Sequence, residues 1–198
     1  MSKGEETRAA VLDEAVRQVS LVGLSGLTIG LLAEKTQLSK SGLYAHFKSK
    51  EQLELEVIGW TTELFAQRVI RPALRTPRGE VRLQALFDRM IRWDSGDLAL
   101  PGGCIFQSIS AELDDAPPGP VRNRYVQAEH DYLDTIATVF RTGISERQFR
   151  AGADPEQYAF EIKGVLLAFH HAGRLLADPK AEDRARAAFE ALLRTARI

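Results

Sequence analysis

Cysteine is almost missing from this chain, with one residue, Cys104, in 198. A lone thiol forms no internal disulfide, which excludes a stapled secreted scaffold and suits a reducing compartment. Long apolar runs are missing as well. No stretch approaches the roughly 18 uninterrupted apolar residues of a membrane span, and the start, MSKGEETRAA, has no apolar signal-peptide core. The expectation is a soluble, cytoplasmic protein with no membrane partner. Repeats and low-complexity tracts are absent, and hardly any run alternates as a strand would. What remains is ordinary globular composition, 44% apolar and 27% charged, at a length that buries a substantial core.

Net charge is only -1, but it is unevenly spread. Residues 1–50 carry seven basic and five acidic side chains, and the remainder carries 19 basic and 22 acidic. A mildly positive end suits phosphate contacts, which are short-range and screened by salt.

Apolar residues recur at three- and four-residue steps throughout, which predicts an all-α protein of about nine helices. Leu12, Ala15, Val16 and Val19 form a first stripe that stops at Gly23. Thr28 caps a short second helix with Ile29, Leu32 and Ala33 inward. After Thr36, Gln37 and Leu38, Ser39 caps a third, with Leu38 and Leu43 spaced as a hydrophobic staple. Ser49 and Gln52 form a capping box that opens a long fourth helix, which Pro72 is expected to end. A fifth stripe runs through Leu83, Leu86, Phe87, Met90 and Ile91 to a loop from Asp94. A sixth helix covers Cys104 to about Leu113. Pro120 opens a seventh that Gly143 is expected to end, Asp154-Pro155 opens an eighth, and Ala181 to Ala196 forms the ninth.

Two short helices joined by three residues, the second capped and stapled, form a helix-turn-helix. A helix that enters a major groove must be held by apolar contacts on its back while its front offers small or polar groups. Leu43 and Phe47 supply the back; Lys40, Ser41, Tyr44 and Ala45 supply the front. Thr28, Ser39, Lys48, Lys50 and the amides that open helix four would meet phosphates. His46 either bonds a phosphate or packs beside Phe47.

These residues carry a resemblance. LTIGLLAEKTQLSKSGLYAHFKSKEQL, residues 27–53, is similar to the DNA-binding signature of the TetR/AcrR family of bacterial transcriptional regulators. Gly42, Leu43, Tyr44, His46, Phe47, Ser49, Lys50 and Glu51 are its specific part. Where the family commonly has Ala-Gly at the turn, this chain has Thr36-Gln37, which implies a slightly altered turn. The resemblance implies an all-helical homodimer, each subunit with a small DNA-binding domain, here 1–48, and a larger ligand-binding and dimerisation domain, 49–198. PGGCIFQSISAELDDAPPGPVR, residues 101–122, resembles a recurring variant of that regulatory domain.

Helix eight is apolar nearly all round, which implies burial on two sides, and Gly164, Ala168 and Ala172 permit close helix approach. With Phe189 and Leu192 of the last helix they would complete a four-helix interface with a second copy, as the resemblance suggests. Trp60, Phe65, Trp93, Phe106, Tyr125 and Phe169 are core candidates that would also border a cavity for a small, largely apolar effector, with His170 as a polar contact. Adjacent His170 and His171 point about 100° apart on a helix and make a poor chelate. No metal, cofactor or catalytic residue is called for. Cys104 has no charged sequence neighbour to activate it, and no Gly-x-Ser-x-Gly elbow or P-loop is present, so an enzyme reading has little to stand on. The expected protein is a dimeric, ligand-responsive repressor of a palindromic double-stranded DNA operator.

Overall fold

The structure, a computed structural model, describes residues 3–198; Met1 and Ser2, at the head of the segment read above for a leader, lie outside the described residues. We label nine helices in chain order: α1 (Lys3–Gly26), α2 (Ile29–Thr36), α3 (Lys40–Phe47), α4, α5 (Glu80–Ser95), α6 (Ile105–Leu113), α7 (Pro120–Ser145), α8 and α9 (Ala181–Ala196). Helix α4 is Lys50–Phe65, continued by a π-helical turn Ala66–Ile70 and a last turn Arg71–Leu74. Helix α8 is Pro155–His170, continued by a π-helical turn His171–Leu175. Among the described residues the only strand-like pairing is a bridge between Phe149 and Arg197.

The helix boundaries follow the capping chemistry. Thr28 Oγ1 accepts from Leu31 N at 3.1 Å, Ser39 Oγ from Gly42 N at 3.0 Å and Ser49 Oγ from Gln52 N at 3.1 Å. Only half of the capping box at Ser49 forms, because the Gln52 amide turns forward to Glu56 at 2.9 Å. Asp154 Oδ1 accepts from Glu156 N and Gln157 N, and Pro155 takes the first turn, where a missing N–H costs nothing. Gly23 breaks α1 with φ 71°, as its glycine suggested.

Three expected stops are overrun. Helix α5 continues past Asp94 to Ser95, and α7 continues past Gly143 to Ser145. Gly143 serves packing: a Cβ there would stand 2.3 Å from the Phe149 ring, and its carbonyl accepts from Gln148 N and Phe149 N. Pro72 does not end α4 either. Its missing N–H should orphan the carbonyl of Arg68, four residues back. The π turn absorbs the misfit, with Arg71 N reaching back to Ala66 O, and Arg89 Nη1 donates to the Arg68 carbonyl at 2.9 Å.

The chain packs as two compact units. The first holds the residues up to Leu64 with Leu100–Gln127. In its core Val16 and Val19 of α1 meet Leu43 and Phe47 of α3, Val57 of α4 and Ile105 and Ile109 of α6. The second unit holds Phe65–Ala99 with Ala128–Ile198. There Phe87 stacks on Phe189 with ring centroids 4.0 Å apart, and Phe140 stacks on Phe149 and Tyr158. Arg197, just past the last helix, ties that helix to Glu80 of α5 and also pairs with Glu190 of its own helix, each at 2.6 Å. These units do not coincide with the functional division expected at residue 48, because α1 buries its apolar stripe along α6, which belongs to the later part of the chain.

Replacing Arg89 by Leu is expected to cost about 1 kcal/mol in urea unfolding, the worth of a charge-assisted bond at an exposed site. In a Pro72→Ala background that cost should shrink, because the restored N–H takes over the carbonyl. Equal costs in both backgrounds would show that Arg89 serves another purpose.

Candidate nucleic-acid interface

An eight-residue helix is too short to hold itself together in water, so α3 depends on its anchors. Leu43 and Phe47, one turn apart, are both fully buried, and Leu38 packs against the same core from just before the cap. The opposite face is bare: Lys40, Ser41, Tyr44 and Ala45 are exposed, Tyr44 by 52%. Thr28, Ser39, Lys48 and Lys50 are exposed around it. The Thr28 and Ser39 oxygens already accept cap hydrogen bonds, and Ser39 Oγ also shares a hydrogen bond with Ser41 Oγ at 3.1 Å, so the hydroxyl hydrogen of Thr28 is the one these contacts leave over. His46 is half-buried, its ring centroid 6.2 Å from that of Phe47, which favours packing. Lys50 is partly spent within the protein, donating to Ser25 O at 3.3 Å and pairing with Glu54 at 3.5 Å.

Two residues of this motif stand at positive φ. Gln37 caps α2 in the left-handed region (φ 57°, ψ 25°), the conformation a glycine at that turn adopts freely. Lys48 sits at φ 54°, ψ -47°, in a tight turn where Ser49 N bonds Phe47 O while Lys48 N bonds Tyr44 O at 2.9 Å. That turn is rare and strained, and it aims a lysine outward between α3 and α4.

The motif is fastened to α6 by a residue with no sequence signal of its own. Glu112 accepts from Leu24 N at 3.0 Å and from Ser25 N at 2.8 Å, just past the break in α1. Gly23 makes room for it, since a Cβ there would fall 1.8 Å from Glu112 Oε1. Nearby, Gly102 lies so close to α1 that a Cβ would overlap Ser20 O at 1.5 Å, and its N–H donates to Ser20 Oγ. Burial raises the Glu54 carboxyl above its ordinary value; Lys50 opposes that shift, and Glu112 and Glu51 add to it.

This pattern, a short capped helix with a buried back and a bare front inside a helix-turn-helix, matches known proteins. The bacterial regulatory proteins of the tetR family match residues 11–57, and the tetracyclin repressor-like C-terminal domain matches residues 79–189. The chain belongs to the TetR family. It is therefore a DNA-binding transcriptional regulator with a ligand-binding C-terminal domain, in a family where repression and dimerisation are typical. The HTH-type transcriptional regulator SrpR of Pseudomonas putida is 25% identical over 182 residues, which is 91% of this chain and 81% of that protein. A TetR-family regulator from Cytophaga hutchinsonii superposes with a TM-score of 0.89 at 20% identity, over 100% of this chain and 98% of its own. AibR, solved in complex with isovaleryl coenzyme A and operator DNA, superposes at 0.69 and 22% identity, over 92% and 98%.

The expected effector residues fall into two groups. Trp60, Phe106 and Tyr125 lie in the first unit, where Trp60 Nε1 donates to Asp13 Oδ1 at 2.7 Å and the Tyr125 hydroxyl donates to Phe106 O at 3.0 Å. Phe65, Trp93, Phe169 and His170 lie in the second, where His170 Nδ1 meets Asp94 Oδ1 at 2.7 Å. Asp94, expected to start a loop, is instead a buried helical carboxylate, and Tyr132 joins Phe65 at 5.4 Å. Of the expected interface residues, Gly164, Ala168, Ala172 and Leu192 line one apolar groove of about 520 Å³ between α8 and α9. Phe189 turns inward onto Phe87, and α8 is buried on one side only, with Phe160 71% exposed. Cys104 is buried, and among the described residues no group of His, Cys, Asp and Glu gathers to hold a metal.

Relieving positive φ should separate fold from function. Gln37→Gly and Lys48→Gly should each raise stability by about 1 kcal/mol, some 2–4 °C in melting temperature. Only Lys48→Gly should weaken DNA binding and lower the salt slope by about one unit. Unchanged salt dependence would remove Lys48 from the phosphate contacts. A carboxyl whose folded pKa is raised costs stability as pH rises through its ordinary range, so Glu54→Gln should raise the melting temperature at pH 8 and leave it unchanged near pH 3.5, measured by circular dichroism.

Proposed function

We propose that the protein is a repressor that binds a palindromic operator as a homodimer, with residues 1–48 as reading head and 49–198 as sensor, and that a small, largely apolar effector releases it. The observation that carries this reading is the division of α3 into a fully buried back and a bare polar front ringed by lysines. In this reading Lys40, Ser41, Tyr44 and Ala45 meet base edges, and Thr28, Ser39, His46, Lys48 and Lys50 position the backbone. A second copy of the chain supplies the second head across the α8–α9 groove, through Gly164, Ala168, Ala172 and Leu192. Both heads engage only if their spacing matches half-sites about 34 Å apart or a multiple of that. An effector that prefers another spacing shifts the population off DNA.

Helix α4 is the proposed lever, because one continuous helix begins at the Ser49 cap beside α3 and runs on through Trp60 and Phe65. Among the described residues no helix is long and apolar enough to cross a membrane. A DNA target supports a location at the nucleoid in the cytoplasm. No residue is assigned a catalytic role. AibR, with both an acyl coenzyme A and operator DNA, supports a two-ligand reading for this fold.

Fluorescence anisotropy against the upstream intergenic DNA and a scrambled control, at several salt concentrations, tests the reading. Saturable preference for the native sequence, lost in Tyr44→Ala and Lys40→Ala with the helical signal intact, is expected. Equal binding to both DNAs would overturn the upstream DNA as its operator, and no binding at low salt would overturn the regulator reading itself.

A further inference from the structure

The interior of the second unit holds a donor with nothing to give its hydrogen to. Trp93 is 1% exposed, and its indole Nε1–H is buried without a hydrogen-bond partner. Indole is a donor only, and a buried donor left unmade is a standing cost that native folds avoid. Its surroundings are aromatic. Phe65 of α4 stands edge-on to Trp93 of α5, with ring centroids 5.3 Å apart at 79°, and edge-on to Tyr132 of α7 at 5.4 Å and 86°.

The charges nearby come in matched pairs. Asp94, next to Trp93 in sequence, faces His170 Nδ1 at 2.7 Å. Lys163, two turns before His170 on α8, holds Glu129 at 2.7 Å with its ammonium 5.4 Å from the centre of the Tyr132 ring. An incoming anion would have to displace a carboxylate from Lys163 or from the His170 ring, and an incoming cation would have to displace the ammonium or the imidazole from those carboxylates. A neutral acceptor competes with neither pair and meets the indole donor.

We infer that the effector is an uncharged molecule with an apolar, ring-sized body and one acceptor oxygen, and that this oxygen accepts from Trp93 Nε1–H. This rests on the ligand-responsive reading above and names the chemistry of the ligand. Trp93 is then a specificity-determining residue: the aromatic cluster supplies affinity for the body, and the indole selects for the oxygen.

Three probes of one size separate the possibilities: acetophenone, ethylbenzene and benzoate. The chain has two tryptophans, so nitrogen-15 correlation spectra of the full-length protein carry two indole signals, assigned with a Trp60→Phe variant. Trp60, already bonded to Asp13, is the internal reference. Acetophenone should move the Trp93 indole proton downfield and leave that of Trp60 in place. It should also bind about three- to tenfold tighter than ethylbenzene or benzoate, the net worth of one hydrogen bond. In Trp93→Phe, acetophenone and ethylbenzene should bind equally. If that variant fails to fold, the wild-type comparison decides alone. Equal binding of acetophenone and ethylbenzene to the wild type, tighter binding of benzoate, no downfield shift, or no binding of any probe overturns the inference. The same samples are titrated with the upstream DNA. Sequence-selective DNA binding without a ketone preference overturns this inference and leaves the regulator reading standing, whereas loss of both overturns both.

Discussion

A helix of eight residues that must lie bare on one side is held by its other side alone. That constraint governs the first unit. Helix α3 gains no net stability from its own hydrogen bonds at this length, so the burial of Leu43 and Phe47 supplies its order. The core that receives them is assembled from α1, α2, α4 and α6, which is why a segment more than fifty residues downstream is packed with the head. The caps at Thr28, Ser39 and Ser49 set where each helix begins, and the strained turn at Lys48 sets how abruptly α4 departs from α3.

The seam between α1 and α6 is made mainly of backbone and one carboxylate. Glu112 takes the two amides that α1 leaves open after Gly23, while Gly102 lets the backbone before α6 come within contact of Ser20. Neither glycine can be replaced without displacing an atom of its neighbour. Leu24 and Ser25 lead directly into Leu27 and the Thr28 cap, so Glu112 of α6 holds the chain just ahead of α2.

The second unit solves a different problem, that of irregular helices in a packed interior. Pro72 frees a carbonyl and Arg89 takes it, so the helix continues through a residue that ordinarily stops one. Asp94 and His170, and Glu129 and Lys163, satisfy each other within the unit. Against that thrift the indole Nε1–H of Trp93 is left unbonded, edge-on to Phe65 of α4.

Local chemistry was legible where a residue acts on its own neighbours. The caps at Thr28, Ser39, Ser49 and Asp154, the break at Gly23, the five-residue stripe of α5 and the outward face of α3 all follow from spacings of three or four, which a linear sequence records directly. The failures share one cause. Pro72 and Gly143 looked like stops because their partners, Arg89 and Phe149, are far away or on a returning loop. Asp94 looked like a loop residue because His170 is 76 positions distant, and Glu112 carried no signal because it serves amides 87 and 88 positions earlier. Of the seven expected effector residues, type alone could not divide three into one unit and four into the other, and Phe189 lost its outward role to a stacking partner on α5. The sequence by itself determined where the helices begin, their caps and the outward face of α3, because those depend on hydrogen bonds and periodicities within one turn. Only the tertiary structure decided which orphaned groups found partners, because a carbonyl, a carboxylate or an indole is satisfied by whatever the fold brings beside it.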